Sequence, residues 1–165
     1  MQGDIVQHWP VIKRLFRDAL ATSTHYAIAS VSPNGEPHVT PIGSLILDRP
    51  GYGYYFEAFA RQLPKNLEHN RQVCVLAVNS SRWYWLKSLL GGRFASPPAL
   101  RLLGTAGELR PATDAEIARW QRRVRSARHT RGHKLIWRDM NMVREIEFQR
   151  IEPVRIGPMT AGLIT

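Results

Sequence analysis

The chain has 165 residues, of which 44% are hydrophobic and 22% are charged, a composition typical of a single globular domain. A single cysteine, Cys74, excludes an intramolecular disulfide. No run approaches the roughly 18 consecutive apolar residues of a membrane span, and no signal peptide is visible. We therefore expect one cytoplasmic domain over residues 1–165.

The formal net charge of +10 belongs mainly to one segment. Between Arg119 and Arg138 there are eight Lys or Arg residues and no Asp or Glu, while the rest of the chain has 15 basic and 13 acidic residues. A local basic surface suits phosphates, acidic partners or simple solvation. The total charge therefore does not by itself predict nucleic-acid binding.

An amphipathic helix is predicted within residues 1–20, because apolar residues recur there at three- and four-residue spacing. Pro10 is expected in its first turn, where a missing N–H is tolerated. The residues predicted to share the buried face are Ile5, Trp9, Ile12, Leu15, Phe16 and Ala19.

Six strands are predicted, over residues 25–32, 37–47, 53–57, 72–79, 100–110 and 142–156. Pro33-Asn34-Gly35 between the first two is a strong hairpin signal. Gly104 and Gly107 are expected to allow a bulge or a close backbone approach in the fifth strand. Several short strands joined by tight turns favour a closed antiparallel barrel over a parallel sheet.

Three further segments flank these strands. Residues 61–70 are polar and are predicted to be helical beyond Pro64. Residues 80–98 are predicted to form a long aromatic and basic loop, which is typical of a lid, a binding loop or a subunit contact. Thr113 and Glu116 have the capping-box spacing, so a helix is predicted over residues 113–128.

One cluster has the chemistry that a phosphate-bearing flavin requires. Arg61 and Lys65 lie four residues apart, with Gln62 and Asn66 beside them, so on a helical turn they would converge on one anion. The proline-containing strand at residues 38–43 offers backbone groups for the polar edge of the ring. Residues 55–60 are predicted to form an apolar wall.

The same residues carry a family resemblance. Residues 25–31 (HYAIASV), 34–41 (NGEPHVTP), 65–73 (KNLEHNRQV) and 103–109 (LGTAGEL) resemble the pyridoxamine 5′-phosphate oxidase-like FMN-binding split barrels. The resemblance runs in order from about residue 20 to 155. It implies a mostly β fold with flanking helices, namely a six-stranded antiparallel split barrel. It also implies a homodimer with FMN bound at the subunit interface.

Carried over by position, the resemblance assigns backbone contacts with the flavin to the strand over residues 38–42 and phosphate contacts to the cations after it. The predicted cofactor-binding residues are His38, Val39, Thr40, Pro41, Ile42, Phe56, Ala58, Arg61, Gln62, Lys65 and Asn66. Many relatives place the two cations next to each other, whereas Arg61 and Lys65 are separated here. Some relatives bind a deazaflavin or haem instead, and the sequence does not separate these cofactors.

The resemblance implies an oxidoreductase that acts on a small molecule, although no residue is an obvious acid or base and the catalytic residues stay unassigned. The C-terminal segment lacks the arginine-and-histidine pattern that holds pyridoxal phosphate in the true oxidases, so oxidation of vitamin B6 is not expected. Trp83 and Trp85, or His38, are candidate substrate contacts. The two tryptophans would equally suit a subunit contact.

Other readings stay open at this point. Arg61 and Lys65 would also suit a solvated turn, and a sensor or carrier of flavin or haem would carry the same motifs without catalysis. The Arg119–Arg138 segment would serve a nucleic-acid-binding module, but Trp120 and Trp137 are its only stacking candidates. His129 and His133 lack a third ligand for zinc.

Overall fold

The computed structural model describes residues 2–137 and 140–163. Its helices are α1 (Gln2–Ser23), α2 (Gln62–His69), α3 (Arg82–Gly91) and α4 (Asp114–Arg123). Its strands are β1 (Tyr26–Val31), β2 (Pro37–Ile42), β3 (Ile46–Leu47), β4 (Tyr52–Phe56), β5 (Gln72–Val78), β6 (Ala99–Pro111) and β7 (Met142–Pro153). Short helical turns lie at Arg125–Ala127, His133–Trp137 and Gly157–Thr160. No helix in these two ranges is long and apolar enough to cross a membrane.

The strands form one antiparallel sheet in the order β2-β1-β5-β6-β7-β4-β3. Its two edge strands, β2 and β3, are joined by only three residues, 43–45, so the sheet must curl until its edges meet at this end. Ser44 holds the junction, because its hydroxyl donates to the carbonyl of Phe56 and accepts from the Phe56 amide, both at 3.1 Å. The sheet is an open antiparallel barrel with flanking helices.

The predicted fold class is confirmed, but the barrel has seven strands rather than six. The return strand predicted over residues 37–47 is two strands, β2 and β3, which lie at opposite edges of the sheet. The chain leaves one edge at Gly43 and reaches the other at Ile46, and a periodicity of two along the sequence does not reveal this change of edge.

The hairpin and the bulge are where the sequence predicts them. The Ser32 carbonyl accepts from the Gly35 amide, and Gly35 has a φ of +84°, a value that glycine adopts without strain. At Gly104 the register of β6 against β7 shifts, and a Cβ there would lie 2.3 Å from the Glu147 carbonyl oxygen. Glycine is therefore required at position 104 by the close approach of two backbones.

α1 fills one side of the barrel with the predicted apolar face. Every residue predicted for that face is buried in the main hydrophobic cluster. Pro10 differs from the prediction, since it lies inside α1 rather than in its first turn. Pro10 has no N–H, so one hydrogen bond of the helix is missing. Ile5 and Trp9 on its N-terminal side are buried in the main hydrophobic cluster, and this packing keeps the first turns of α1 in place.

α4 covers a second, smaller hydrophobic cluster. Trp120 and Val124 pack there against β3, β4 and β7 residues, including Phe56 and Val143. The capping box is present: the Thr113 hydroxyl accepts from the Glu116 amide, and the Glu116 carboxylate accepts from the Thr113 amide. The helix ends at Arg123 and continues as a short turn over Arg125–Ala127, so the predicted span of residues 113–128 is broken once.

The segment predicted as a loop over residues 80–98 contains a ten-residue helix, α3. Ser81 caps its start by accepting from the Tyr84 amide, and Gly92 ends it in the left-handed conformation with a φ of +64°. This serine and this glycine are helix-boundary signals in the sequence. The apolar residues between them show no single helical face, so periodicity does not detect α3.

Candidate functional site

A cavity of about 710 Å³ opens between the ends of β2 and β4 and the C-terminal end of α4. We call it the first cavity. Five of the predicted cofactor-binding residues, which are separated by up to 18 positions in the sequence, line it together: Thr40, Pro41, Ile42, Phe56 and Ala58. The curl of the sheet brings them together, because the link over residues 43–45 carries the chain from the end of β2 towards β4.

β2 offers an unpaired backbone edge beside this cavity. It pairs with β1 on one side only, and prolines such as Pro37 and Pro41 are tolerated at such an edge. Val39 is 69% exposed and His38 is half-buried. Neither of them lines the first cavity, although both are predicted cofactor contacts.

Next to the cavity lies a cationic corner, which we define as Arg61 and Lys65 at the start of α2. Ala60 lines the first cavity and Arg61 follows it directly. Both cationic side chains are exposed. Within the described parts of the chain, neither makes an ion pair or a side-chain hydrogen bond. Their charges are therefore free to meet an anion.

Gln62 and Asn66, the weaker phosphate candidates, fix the helix that carries this corner. Asn66 is 0% exposed, and its amide nitrogen donates to the Ser30 hydroxyl at 2.9 Å. The Gln62 amide donates to the Asn66 side-chain oxygen, also at 2.9 Å. These bonds anchor α2 on β1, and a ligand contact by Asn66 or Gln62 stays a prediction.

The candidate substrate residues Trp83 and Trp85 lie on α3 and do not line the first cavity of this chain. Trp85 is half-buried, donates its indole N–H to the Asn79 carbonyl at 2.7 Å and contacts Phe94 edge-to-face. Trp83 is 73% exposed. Trp85 therefore anchors α3, whereas Trp83 is open to a partner or to solvent.

The sequence reasoning missed a buried ion pair in the cavity wall. Arg144 of β7 makes two 2.9 Å bonds to the carboxylate of Glu57 and a third to the Gly107 carbonyl, and Tyr55 donates to Glu57 at 2.7 Å. The side chains of Arg144 and Glu57 are 9% and 6% exposed. The hydrogen bonds with Glu57 raise the pKa of Arg144, and burial with the nearby Glu57 charge raises the pKa of Tyr55.

No local sequence signal predicts this pair, because Glu57 and Arg144 are 87 residues apart in the sequence. They meet because β4 pairs with β7 in a register that sets Tyr55 opposite Arg144. Glu57 lines the first cavity, but both of its oxygens accept from Arg144. The pair therefore stiffens the wall of the cavity with charge-assisted hydrogen bonds.

The basic segment is partly engaged within the fold. Arg119 bonds to Asp48 at 2.5 Å, and Arg123 donates to the Leu45 carbonyl at 2.5 Å. Trp120 is buried against Phe56, and Trp137 packs edge-to-face on Trp120. Arg138, the last residue of the predicted segment, lies outside the described residues. The two aromatic rings therefore serve the second hydrophobic cluster and do not form an open stacking surface.

The two histidines of this segment, His129 and His133, have different surroundings. The His129 ring accepts from Arg128 at 2.9 Å, while His133 is buried with its Nε2 unpaired and its ring edge-on to Trp137. In the described portion of the chain, no three His, Cys, Asp or Glu side chains lie close enough together to hold a metal ion.

Solved structures of other proteins share this fold at low sequence identity. An FMN-binding protein from Syntrophomonas wolfei is 13% identical, with a TM-score of 0.57 over 91% of this chain and 94% of its own. The haem storage protein HutZ from Vibrio cholerae is 16% identical, with a TM-score of 0.56 over 87% and 92%. An F420 reductase is 14% identical, with a TM-score of 0.55 over 83% and 95%.

Comparison of sequences is more specific. No curated protein matches the chain significantly. Residues 12–156, which include the whole barrel, α2 and the cationic corner, match the family described as pyridoxamine 5′-phosphate oxidase. The chain therefore belongs to the pyridoxamine 5′-phosphate oxidase family.

Proposed function

We propose that this protein binds FMN and uses it in the oxidation or reduction of a small molecule. The flavin ring would lie in the first cavity and the phosphate at the cationic corner. One observation carries the proposal: Thr40, Pro41, Ile42, Phe56 and Ala58 line one cavity, and its wall runs through Ala60 to the unpaired Arg61.

The residues present suit this cofactor. The volume of about 710 Å³ lies within the range of small-molecule sites, roughly 300–1,000 Å³. Ile42, Phe56 and Trp120 supply apolar wall, and the free edge of β2 supplies backbone donors and acceptors. A phosphate carries close to two negative charges at neutral pH, which Arg61 and Lys65 would neutralise.

When bound, FMN would supply hydride transfer through its N5 atom. The chain's own contribution is to bind, orient and exclude water. The cationic corner would hold the phosphate end, and β2 would fix the polar edge of the ring. Among the described residues that line the cavity, the one carboxylate, Glu57, is engaged by Arg144. We therefore assign no general acid or base to this chain.

A second copy of the chain is part of this proposal. The unpaired edge of β2 carries exposed Val39 and Pro41, and exposed Phe59 follows the wall strand β4. Apolar residues exposed around the mouth of a cavity are typical of a surface that another subunit covers. A homodimer would shield the flavin from solvent, and it would also bring partner residues such as an exposed Trp83 to the site.

The solved structures with the same fold suggest two alternative cofactors. The solved neighbours include an FMN-binding protein, an F420 reductase and a haem storage protein. Haem fits less well, because no histidine or cysteine is among the described residues that line the first cavity, and buried Met140 is the one sulfur there. A deazaflavin shares the ring shape and phosphate of FMN, so a direct titration must separate the two.

The first experiment is the visible absorption spectrum of the purified protein, followed by titration with FMN and with F420. Flavin bands, or saturable binding of one FMN per chain in preference to F420, would support the proposal. Reduction by a nicotinamide donor followed by reoxidation with an acceptor would then support an enzyme, whereas a bound but inert flavin would point to a carrier or sensor.

The phosphate site has its own test. Arg61→Ala combined with Lys65→Ala should weaken FMN binding more than tenfold, because each charge-assisted bond contributes about 1.5–3 kcal/mol. The matched control is Lys87→Ala with Arg93→Ala, which removes the same charge from exposed positions in or next to α3. Equal affinity of the two double variants would place the phosphate elsewhere.

A further inference from the structure

A second cavity of about 760 Å³ lies between α1, β3 and the end of α4. The proposed FMN site does not use it. The two cavities share a wall, since Leu20 and Arg123 line both of them. The residues that line the second cavity are of two chemical kinds.

One kind is cationic. Lys13, Arg14 and Arg17 project from α1, and Arg123 reaches the cavity from α4. No carboxylate is among the described residues that line this cavity. Arg17 pairs with Asp18, whose carboxylate lies 3.6 Å away, and both side chains are exposed. An exposed pair of this kind offsets little of the positive charge.

The other kind is apolar. Leu20 and Leu47 are half-buried and Ala21 is exposed, so they present open apolar surface to the cavity. The buried rings of Trp9, Phe16 and Tyr26 form the wall behind them. The Tyr26 hydroxyl is engaged, because it donates to the Phe16 carbonyl at 2.8 Å. The cavity therefore offers an apolar floor beneath a cationic rim.

Arg123 adds a further cation that no described carboxylate compensates. Its guanidinium donates to the Leu45 carbonyl, and within the described parts of the chain it pairs with no carboxylate. Burial lowers the pKa of Arg123, while the nearby Tyr26 and Tyr54 hydroxyls oppose that shift. The Arg123 side chain is nevertheless exposed at the cavity, so its charge can pair with an anion that enters there.

We propose that the second cavity binds an amphipathic organic carboxylate. Its apolar body would lie on Leu20, Leu47 and Ala21, and its carboxylate would lie among Arg14, Arg17 and Arg123. The anionic group explains the unopposed cations, and the apolar body explains the open aliphatic floor beside them. The ligand would be a separate molecule from the flavin, because neither Arg61 nor Lys65 is among the residues that line the second cavity.

The test is isothermal titration of the full chain with dodecanoate below its micelle concentration. Dodecyltrimethylammonium, which has the same tail and the opposite charge, is the comparison ligand. We expect saturable binding of one dodecanoate per chain and none of the cation. Equal binding of the two ligands would overturn the proposal, because it would mean that the tail alone is recognised.

Two variants separate the rim from the floor. Arg14→Gln with Arg17→Gln should weaken dodecanoate binding about fivefold or more, and Ala21→Trp should abolish it by filling the floor while leaving the charge intact. The control Arg82→Gln with Arg93→Gln removes two exposed cations elsewhere. Thermal unfolding checks that each variant is folded. Unchanged affinity in both rim and floor variants would refute the assignment.

A last arm separates a free carboxylate from a membrane surface, since both present apolar chains and negative charge. Sedimentation with phosphatidylglycerol vesicles, without binding of monomeric dodecanoate, would replace the cavity with a membrane-binding surface. FMN affinity should stay within about twofold in all these variants. Failure of FMN binding would leave the dodecanoate result intact, so the two proposals fail separately.

Discussion

The wall of the first cavity and the cationic corner beside it differ in whether their charged side chains are paired. In the wall, Arg144 and Glu57 are almost fully buried and satisfy each other and their neighbours. In the corner, Arg61 and Lys65 are exposed and have no partner within the described chain. The difference suggests a division of roles: compensated charges hold the scaffold, and uncompensated charges remain available for a ligand.

The largest effect is expected in the wall. Arg144→Ala should destabilise the protein by about 3–5 kcal/mol, because it leaves the Glu57 carboxylate buried without its counter-ion. Chemical denaturation at neutral pH measures this loss. Arg49→Ala is the matched control: it breaks a two-bond pair with Glu145, the next residue along β7, but on the exposed side. That control should not measurably change the denaturation midpoint.

A double variant keeps this prediction testable. Glu57→Gln with Arg144→Met removes both charges at once, so it should recover much of the stability that Arg144→Ala loses. A double variant as unstable as the single one would show that shape rather than charge pairing governs the wall.

The next effect concerns the helix that presents the free cations. Asn66→Ala should cost about 1–3 kcal/mol, because the buried Ser30 hydroxyl loses its donor. It should also weaken FMN binding, since α2 would no longer be fixed on β1. Thermal unfolding and FMN titration measure the two losses. Adding Ser30→Ala should cost little more, and fully additive losses would contradict the coupling of these two side chains.

The smallest effect lies at the start of α4, where a compensated charge is close to the surface. The bonds from Arg110, aided by the Thr113 amide, lower the pKa of Glu116 from 4.5 to about 2, against the opposing effect of burial. Because the folded pKa lies below the unfolded one, this stabilisation is complete above about pH 4.5. It is lost as the pH falls towards 2.

Glu116→Gln should therefore cost about 1 kcal/mol at pH 7, and the difference from the parent protein should shrink between pH 4.5 and 2. Denaturation across this range measures it. Glu108→Gln, which removes a more exposed partner of Arg71, is the control. A difference that is constant with pH would mean that the carboxylate charge is not involved.

Local signals in the sequence predict much of the fold. The face of α1, the Gly35 turn, the bulge at Gly104 and the capping box of α4 each follow from a few adjacent or periodically spaced residues. α3 escapes prediction because its apolar residues occur on all sides, although Ser81 and Gly92 mark its ends. The change of sheet edge after Gly43 leaves no trace in periodicity, so one predicted strand becomes two.

Local signals likewise predict only part of the candidate site. The strand ends and the cationic corner follow from short motifs, and the cavity is lined by Thr40, Phe56 and Ala58, whose contact with a cofactor stays a prediction. The Glu57–Arg144 pair and the inward reach of Arg123 depend on strand register and helix packing across the whole chain. Such contacts have no local pattern, so sequence reasoning from one chain does not find them.

The position of β7 in the sheet has a consequence for synthesis on the ribosome. β1, β2, β5 and β6 form one group of paired strands, β3 and β4 form another, and β7 alone bridges them by pairing with β6 and β4. It is also the last of these seven strands to be made. The nascent chain must therefore wait for residues 142–153 before the two groups of strands are paired into one sheet. We expect the first cavity to be completed late in translation, so that a ligand joins a finished barrel.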